Sequence, residues 1–245
     1  MPIQEMTKYI RIDIRPYSVG LILAGIIALL IIAHSAGLVW EQFYGTELRG
    51  LIKKFDLGGE SNIPAWFSSK LLLIAALLVG FIAAIKKTRK EEFSNHWLLL
   101  TFIFVFLSCD ETVQIHEATG SHVHSIANLP FTKFIGWVIP YSLLVILFGA
   151  AYLRFFLHLP RRFKLLFASA GGIYVGGALG MELLTGAIGR VVLEGRIHFL
   201  FNILEESLEM AGIAVFIYAL LSYLSSEMRQ VNINFGSPDL SAESG

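Results

Sequence analysis

The sequence predicts an all-α integral membrane bundle of six transmembrane helices, and three observations lead there. Hydrophobic residues make up 55% of the 245 and charged residues 16%, at a mean hydropathy of +0.66. A soluble domain of this length would carry about a quarter charged residues. The apolar residues also gather in six segments, each near the roughly 20 residues needed to cross a hydrocarbon core. Backbone polar groups cannot be left bare in lipid, so such segments cross as helices.

The first segment, Tyr17–Trp40, is too long for the apolar core of a signal peptide, and cleavage after Ala36 would put His34 where a small residue is wanted. It is read as a retained span. A loop from Glu41 to Asn62 follows, with the turn-rich stretch FDLGGESNIP just before the second span, Ile63–Ile85. The third span, Trp97–Ile115, changes character partway. Ten of the twelve residues from Trp97 to Ser108 are apolar, and then Asp110, Glu111, His116 and Glu117 arrive together. The fourth span is Phe131–Leu157. The fifth, Leu165–Leu184, carries Gly172, Gly176 and Gly180. That stripe lets a neighbouring backbone come close and offers a face for a homo-oligomer. The sixth is Ile197–Leu224. The polar end from Ser225, with its Gly and Pro, reads as a disordered cytoplasmic tail, 225–245, after a single six-helix domain, 1–224. No internal repeat is evident.

Orientation follows from Lys and Arg in the short loops. Lys8, Arg11 and Arg15 precede the first span, and Lys86, Lys87, Arg89 and Lys90 separate the second from the third. Arg154, Arg161, Arg162 and Lys164 cluster around the end of the fourth. The other side holds Arg49, Lys53, Lys54, Lys133, Arg190 and Arg196, spread over longer loops. Both termini are therefore expected in the cytoplasm, with the chain multi-pass in the inner (plasma) membrane.

A formal net charge of zero leaves no global field to attract nucleic acid. The single cysteine, Cys109, excludes an intrachain disulfide and a cysteine-based zinc finger. It is expected to act as a small buried apolar residue. Ser108 is expected to bond its own helix backbone.

The topology also sets depth. Asp110 lies roughly 21 Å along the third helix from His96, and Glu182 roughly 27 Å along the fifth from Lys164. Glu205, Glu206 and Glu209 fall roughly 12 to 18 Å below the start of the sixth. Three helices thus deliver carboxylates to one layer, expected in the outer half of the membrane. At about 100° per residue, His198, Asn202, Glu205 and Glu209 share one arc of the sixth helix, and Asp110, Gln114 and Glu117 share one of the third. A charged carboxylate at mid-depth costs about 2.5–3.5 kcal/mol on insertion scales. Something positive is therefore expected beside these acids.

Three readings of that partner stay open. A divalent metal held by carboxylates and histidine suits zinc, iron or manganese. The ligand candidates are Asp110, His116, Glu117, Glu182, His198, Glu205 and Glu209. A lowered-pKa water would then attack a lipid-like substrate from the membrane, with Glu111 and Glu206 as catalytic proton carriers. The second reading is a cation- or proton-coupled transporter or channel using the same acids. The third is a scaffold in which Lys70, Arg190 and Arg196 pair with Asp110, Glu182 and Glu206.

The Ser-x-Asp-Glu-x4-His-Glu pattern (Ser108, Asp110, Glu111, His116, Glu117), with NIPAWFS and LEESLEMAG, resembles a family of uncharacterised bacterial polytopic membrane proteins. The chain also resembles, more distantly, the alkaline ceramidase and progestin/adipoQ receptor type of membrane hydrolases. That resemblance matches Ser108, Asp110 and His116 to a membrane-embedded zinc site and implies hydrolase activity. The late His-x-x-x-His of those proteins is replaced here by Glu205 and Glu209 at i, i+4.

Overall fold

A computed structural model describes residues 15–45, 49–129, 132–188 and 196–227, with the side chains of Arg49, Lys133, Phe134 and residues 187–188 and 196–199 outside the description. Every regular element among the described residues is helical. Six helices are long and apolar enough to cross a membrane, so the chain is a multi-pass membrane protein.

α1 (Pro16–Tyr44) buries Leu23, Ile27, Leu30 and His34, a single stripe at helical spacing, and leaves Leu21, Ile22 and Leu29 exposed on its other side. A short α2 (Arg49–Ile52) and a 3₁₀ turn, Lys53–Phe55, follow. The buried His34 ring anchors this loop, accepting the Leu57 N–H at Nδ1 (3.0 Å). Asn62 then starts α3 (Ile63–Thr88): its Oδ1 accepts the Ala65 N–H, while its Nδ2 donates to the Asp56 and Gly59 carbonyls.

α3 and α4 (Ser94–Val113) form an antiparallel pair joined by hydroxyls. Ser69 Oγ donates to the Ser108 carbonyl and Ser108 Oγ to the Ser69 carbonyl, both at 2.9 Å. Ser108 thus bonds across to the neighbouring helix, not back to its own backbone as expected. Cys109 is exposed, not buried, because the helix turns its α3-facing side one residue earlier.

The expected third span does not continue to Ile115. Gln114 adopts a left-handed conformation (φ 63°, ψ 42°), ending α4 and starting α5 (Ile115–Ala127). α5 runs through Gly120. Gly120 meets Gly136 there: a Cβ on Gly136 would fall 2.6 Å from the Gly120 carbonyl oxygen. α6 (Thr132–Ile135) leads into α7 (Val138–His158).

α8 (Arg161–Val175) passes into a π-helical turn, Gly176–Met181, and then α9 (Glu182–Ile188). α10 (Arg196–Glu227) is the central helix, packing against α1, α3 and α8. It is still helical at Glu227, beyond the Ser225 where a disordered tail was expected; residues 228–245 lie outside the described ones. The tight crossing of α10 with α8 and its π turn uses Gly212, whose Cβ would sit 2.6 Å from the Tyr174 backbone nitrogen, and Gly177, 3.0 Å from the Glu205 carbonyl oxygen. The predicted stripe is not this contact. A Cβ on Gly172, Gly176 or Gly180 would meet nothing within 4 Å.

An aromatic cluster closes one end of the bundle. Trp97, 1% exposed, packs edge-on against Phe155 (5.1 Å between centroids) and against Tyr223 (5.3 Å).

Candidate functional site

At the opposite end, a cavity of about 810 Å³ opens among α4, α7, the α8–π segment and α10. Its acidic head carries Asp110 and Glu111 from α4, Glu182 after the π turn, and Glu205, Glu206 and Glu209 from α10. His116 and Glu117 from α5 and Glu60 from the loop before α3 complete it. The structure therefore brings together eight of the nine predicted site residues. The His198 side chain lies outside the described residues.

Two local breaks aim these groups. The left-handed Gln114 folds α5 back, so that the His116 backbone N–H reaches Asp110 Oδ1 at 2.8 Å. Gln114 itself does not line the cavity, unlike its predicted neighbours Asp110 and Glu117. The π turn adds a residue to one helical turn just before Glu182, which is buried against the cavity. Single π turns of this kind recur at functional sites.

Asp110 is held through both carboxylate oxygens. Its Oδ1 takes the His116 backbone N–H and lies 3.2 Å from His116 Nδ1, and its Oδ2 accepts the Tyr141 hydroxyl at 3.1 Å. Trp137 stands edge-on to the His116 ring, 5.2 Å between centroids.

Beside them, Glu60, His116 and Glu117 each offer a donor atom, all within 4.8 Å of one another. These three sit outside the spanning helices. Partial burial pushes the Glu60 carboxyl above the usual carboxylate range, and the charge and hydrogen bond of Glu117 push it further; His116 opposes them. Burial pulls the His116 imidazole down, but the Asp110 hydrogen bond and the charges of Asp110, Glu60 and Glu117 more than offset it, leaving its pKa raised.

Glu60 was missed in the sequence because it lies in a turn, not on a helix face. Its signal was positional: the loop holding it precedes a span whose start lies on the same side as His116. Tyr141, Trp137 and Tyr174 were missed as ordinary aromatics of apolar helices.

Other polar residues go elsewhere. Lys70 Nζ lies over the Trp66 ring, 6.0 Å from its centroid, instead of beside Asp110. Arg190 is outside the described residues, as is the Arg196 side chain. His124 Nδ1 is 2.9 Å from Thr132 Oγ1 and ties α5 to α6, and His122 is exposed. Ser108, matched above to a hydrolase serine, is engaged with Ser69 and does not line the cavity.

The cavity is two-sided in chemistry. Below the acids its lining is apolar, through Leu100, Phe104 and Leu107 of α4 and Leu144, Val145 and Phe148 of α7. Among the described residues lining it there is no Lys or Arg. Such a lining suits a cation at one end and hydrocarbon along the other.

No curated protein and no solved structure matches the chain. One family model does, that of Domain of unknown function (DUF8692), over residues 21–224. The match covers more than half of the chain and reaches all six spans, so the chain belongs to that family.

Proposed function

We propose that this protein is a metal-dependent membrane enzyme, a hydrolase or transferase acting on a lipid-like substrate. One observation carries the reading: the Glu60, His116 and Glu117 donor atoms lie within 4.8 Å of one another at the acidic head of a cavity whose wall below the acids is apolar. Two carboxylates and an imidazole suit zinc, iron or manganese. A divalent ion there would supply Lewis acidity to a substrate carbonyl or a water.

The surrounding residues have roles that fit. Asp110 holds one nitrogen of His116 and leaves the other for a ligand, the carboxylate–histidine arrangement common around metals. Tyr141 fixes Asp110 in turn. We therefore assign Asp110 to orienting His116, instead of to the metal itself. Glu111 and Glu206 line the same space and carry protons. In a hydrolysis the carboxylate takes the proton from the attacking water and returns it to the leaving group, ending unchanged. Glu182, Glu205 and Glu209 remain ligands for a second cation or for the substrate.

The Lys and Arg pattern supports cytoplasmic termini and a site facing the outer half of the membrane, and the resemblance to bacterial polytopic proteins supports a bacterial inner membrane. The aromatic plug around Trp97 supports a site open to one side over a transport pathway through the bundle. The test is elemental analysis of the purified protein beside Glu60→Gln and Glu205→Gln. Stoichiometric metal in the wild type that is lost in Glu60→Gln is the expected result. Metal-free protein, with a melting temperature indifferent to chelator, removes the reading.

A further inference from the structure

The cavity also constrains the substrate. Its apolar section runs from Asp110 down to Leu100, ten residues of α4, or roughly 15 Å. That is about half of a ~30 Å hydrocarbon core, the depth of one leaflet. The section is open sideways. Phe102 (63% exposed) and Phe106 on α4 and Leu144 (56% exposed) on α7 line the cavity and yet stay accessible. α7 is pinned on either side of this gap, by Tyr141 to Asp110 and by Tyr152, whose hydroxyl donates to the His96 carbonyl. A lipid tail can therefore slide in between α4 and α7 without leaving the hydrocarbon.

The head end selects by charge. Carboxylates converge there from α4, α5, α9, α10 and the loop before α3, and no described Lys or Arg joins them in the lining. A phosphate headgroup would meet repulsion, whereas an ammonium would be stabilised. We infer that the substrate is a lipid with an amine-bearing, phosphate-free headgroup, its tail lying between α4, α7 and α8. This rests on the lipid-enzyme reading above and narrows its substrate class.

Gly171 on α8 provides the probe. It lines the cavity, and a Cβ there would meet nothing within 4 Å, so a larger side chain starts into open space at the cavity wall. The experiment uses the full chain in lipid nanodiscs and a long-chain alkylamine bearing a photoreactive diazirine in its tail. Labelling is mapped by mass spectrometry and competed with dodecylamine, dodecanol or dodecyl phosphate.

Crosslinks are expected within residues 100–107, 144–148 and 171–179, with dodecylamine competing on the order of tenfold better than the other two. Gly171→Trp should cut labelling roughly fivefold, while Gly171→Ala labels like wild type and both keep the wild-type melting temperature. Equal competition by the phosphate or the alcohol overturns the inference, and so does full labelling of a folded Gly171→Trp. Metal content is measured on the same samples. Amine-selective labelling of metal-free protein would remove the metal reading and leave this one standing, and stoichiometric metal without head selectivity would do the reverse.

Discussion

Asp110 and His116 meet across a helix break. One oxygen, Asp110 Oδ1, takes the His116 backbone N–H at 2.8 Å and lies 3.2 Å from Nδ1 of the same residue. The contact fixes both where α5 starts and how the imidazole points.

If Asp110 orients a ligand, Asp110→Asn should weaken metal affinity by about 10- to 100-fold, the usual cost of losing such a partner. Tyr141→Phe, one step further out, should cost less. Dye-competition titration measures both. Equal affinity in Asp110→Asn and wild type would show that His116 needs no positioning.

Metal affinity should rise with pH. The folded protein holds its protons on His116 and Glu60 more tightly than usual, so binding must expel them. For the metal-free protein the sign is opposite. Protonated His116 contributes stability that is complete below about pH 6.5 and fades as pH climbs through the raised value. The melting temperature without metal should therefore fall across that window, and His116→Gln should flatten the fall.

Gln114 is a non-glycine residue in the left-handed region, where a β-branched side chain is strained. Gln114→Val should lose about 1–3 kcal/mol and loosen the Asp110–His116 contact, while Gln114→Gly keeps both. Thermal unfolding in detergent distinguishes them.

Ser108 is a packing residue here. Ser108→Ala should cost about 0.6 to 1.7 kcal/mol, the range for hydroxyl bonds between membrane helices, and leave turnover intact once an activity is assayed. An inactive but fully folded Ser108→Ala would return it to the role of nucleophile.

The glycines separate in the same way. Gly212→Ala puts a methyl 2.6 Å from the Tyr174 nitrogen and should destabilise by about 1–3 kcal/mol. Gly172→Ala enters open space and should be neutral in the monomer. Destabilisation by Gly172→Ala instead would place a second copy against that face, and cross-linking would detect it.

The bundle was legible because crossing a membrane is a local demand. Any run of about 20 apolar residues meets it, whatever lies elsewhere. The convergence of acids was legible too: counting residues along the spans put Asp110, Glu182 and Glu205 at one level, and all three line one cavity. Rotation and breaks were harder. The helix was expected to run through Gln114 because nothing in ETVQIHE punctuates it. Its break is held by Asp110 reaching His116, a contact that exists only after folding. Similarly, the Gly172, Gly176 and Gly180 stripe meets no neighbouring helix among the described residues of the chain, while Gly177 and Gly212 found each other's helices.

By itself, then, the sequence determined how many segments are long and apolar enough to cross a membrane and where along them the acids fall, since both follow from the order of consecutive residues. The tertiary structure decided which of those acids share a space, and it added Glu60, a loop carboxylate no helical periodicity marks. Those matters depend on contacts between residues far apart in the chain, which only the packed helices and the folded loop bring within reach.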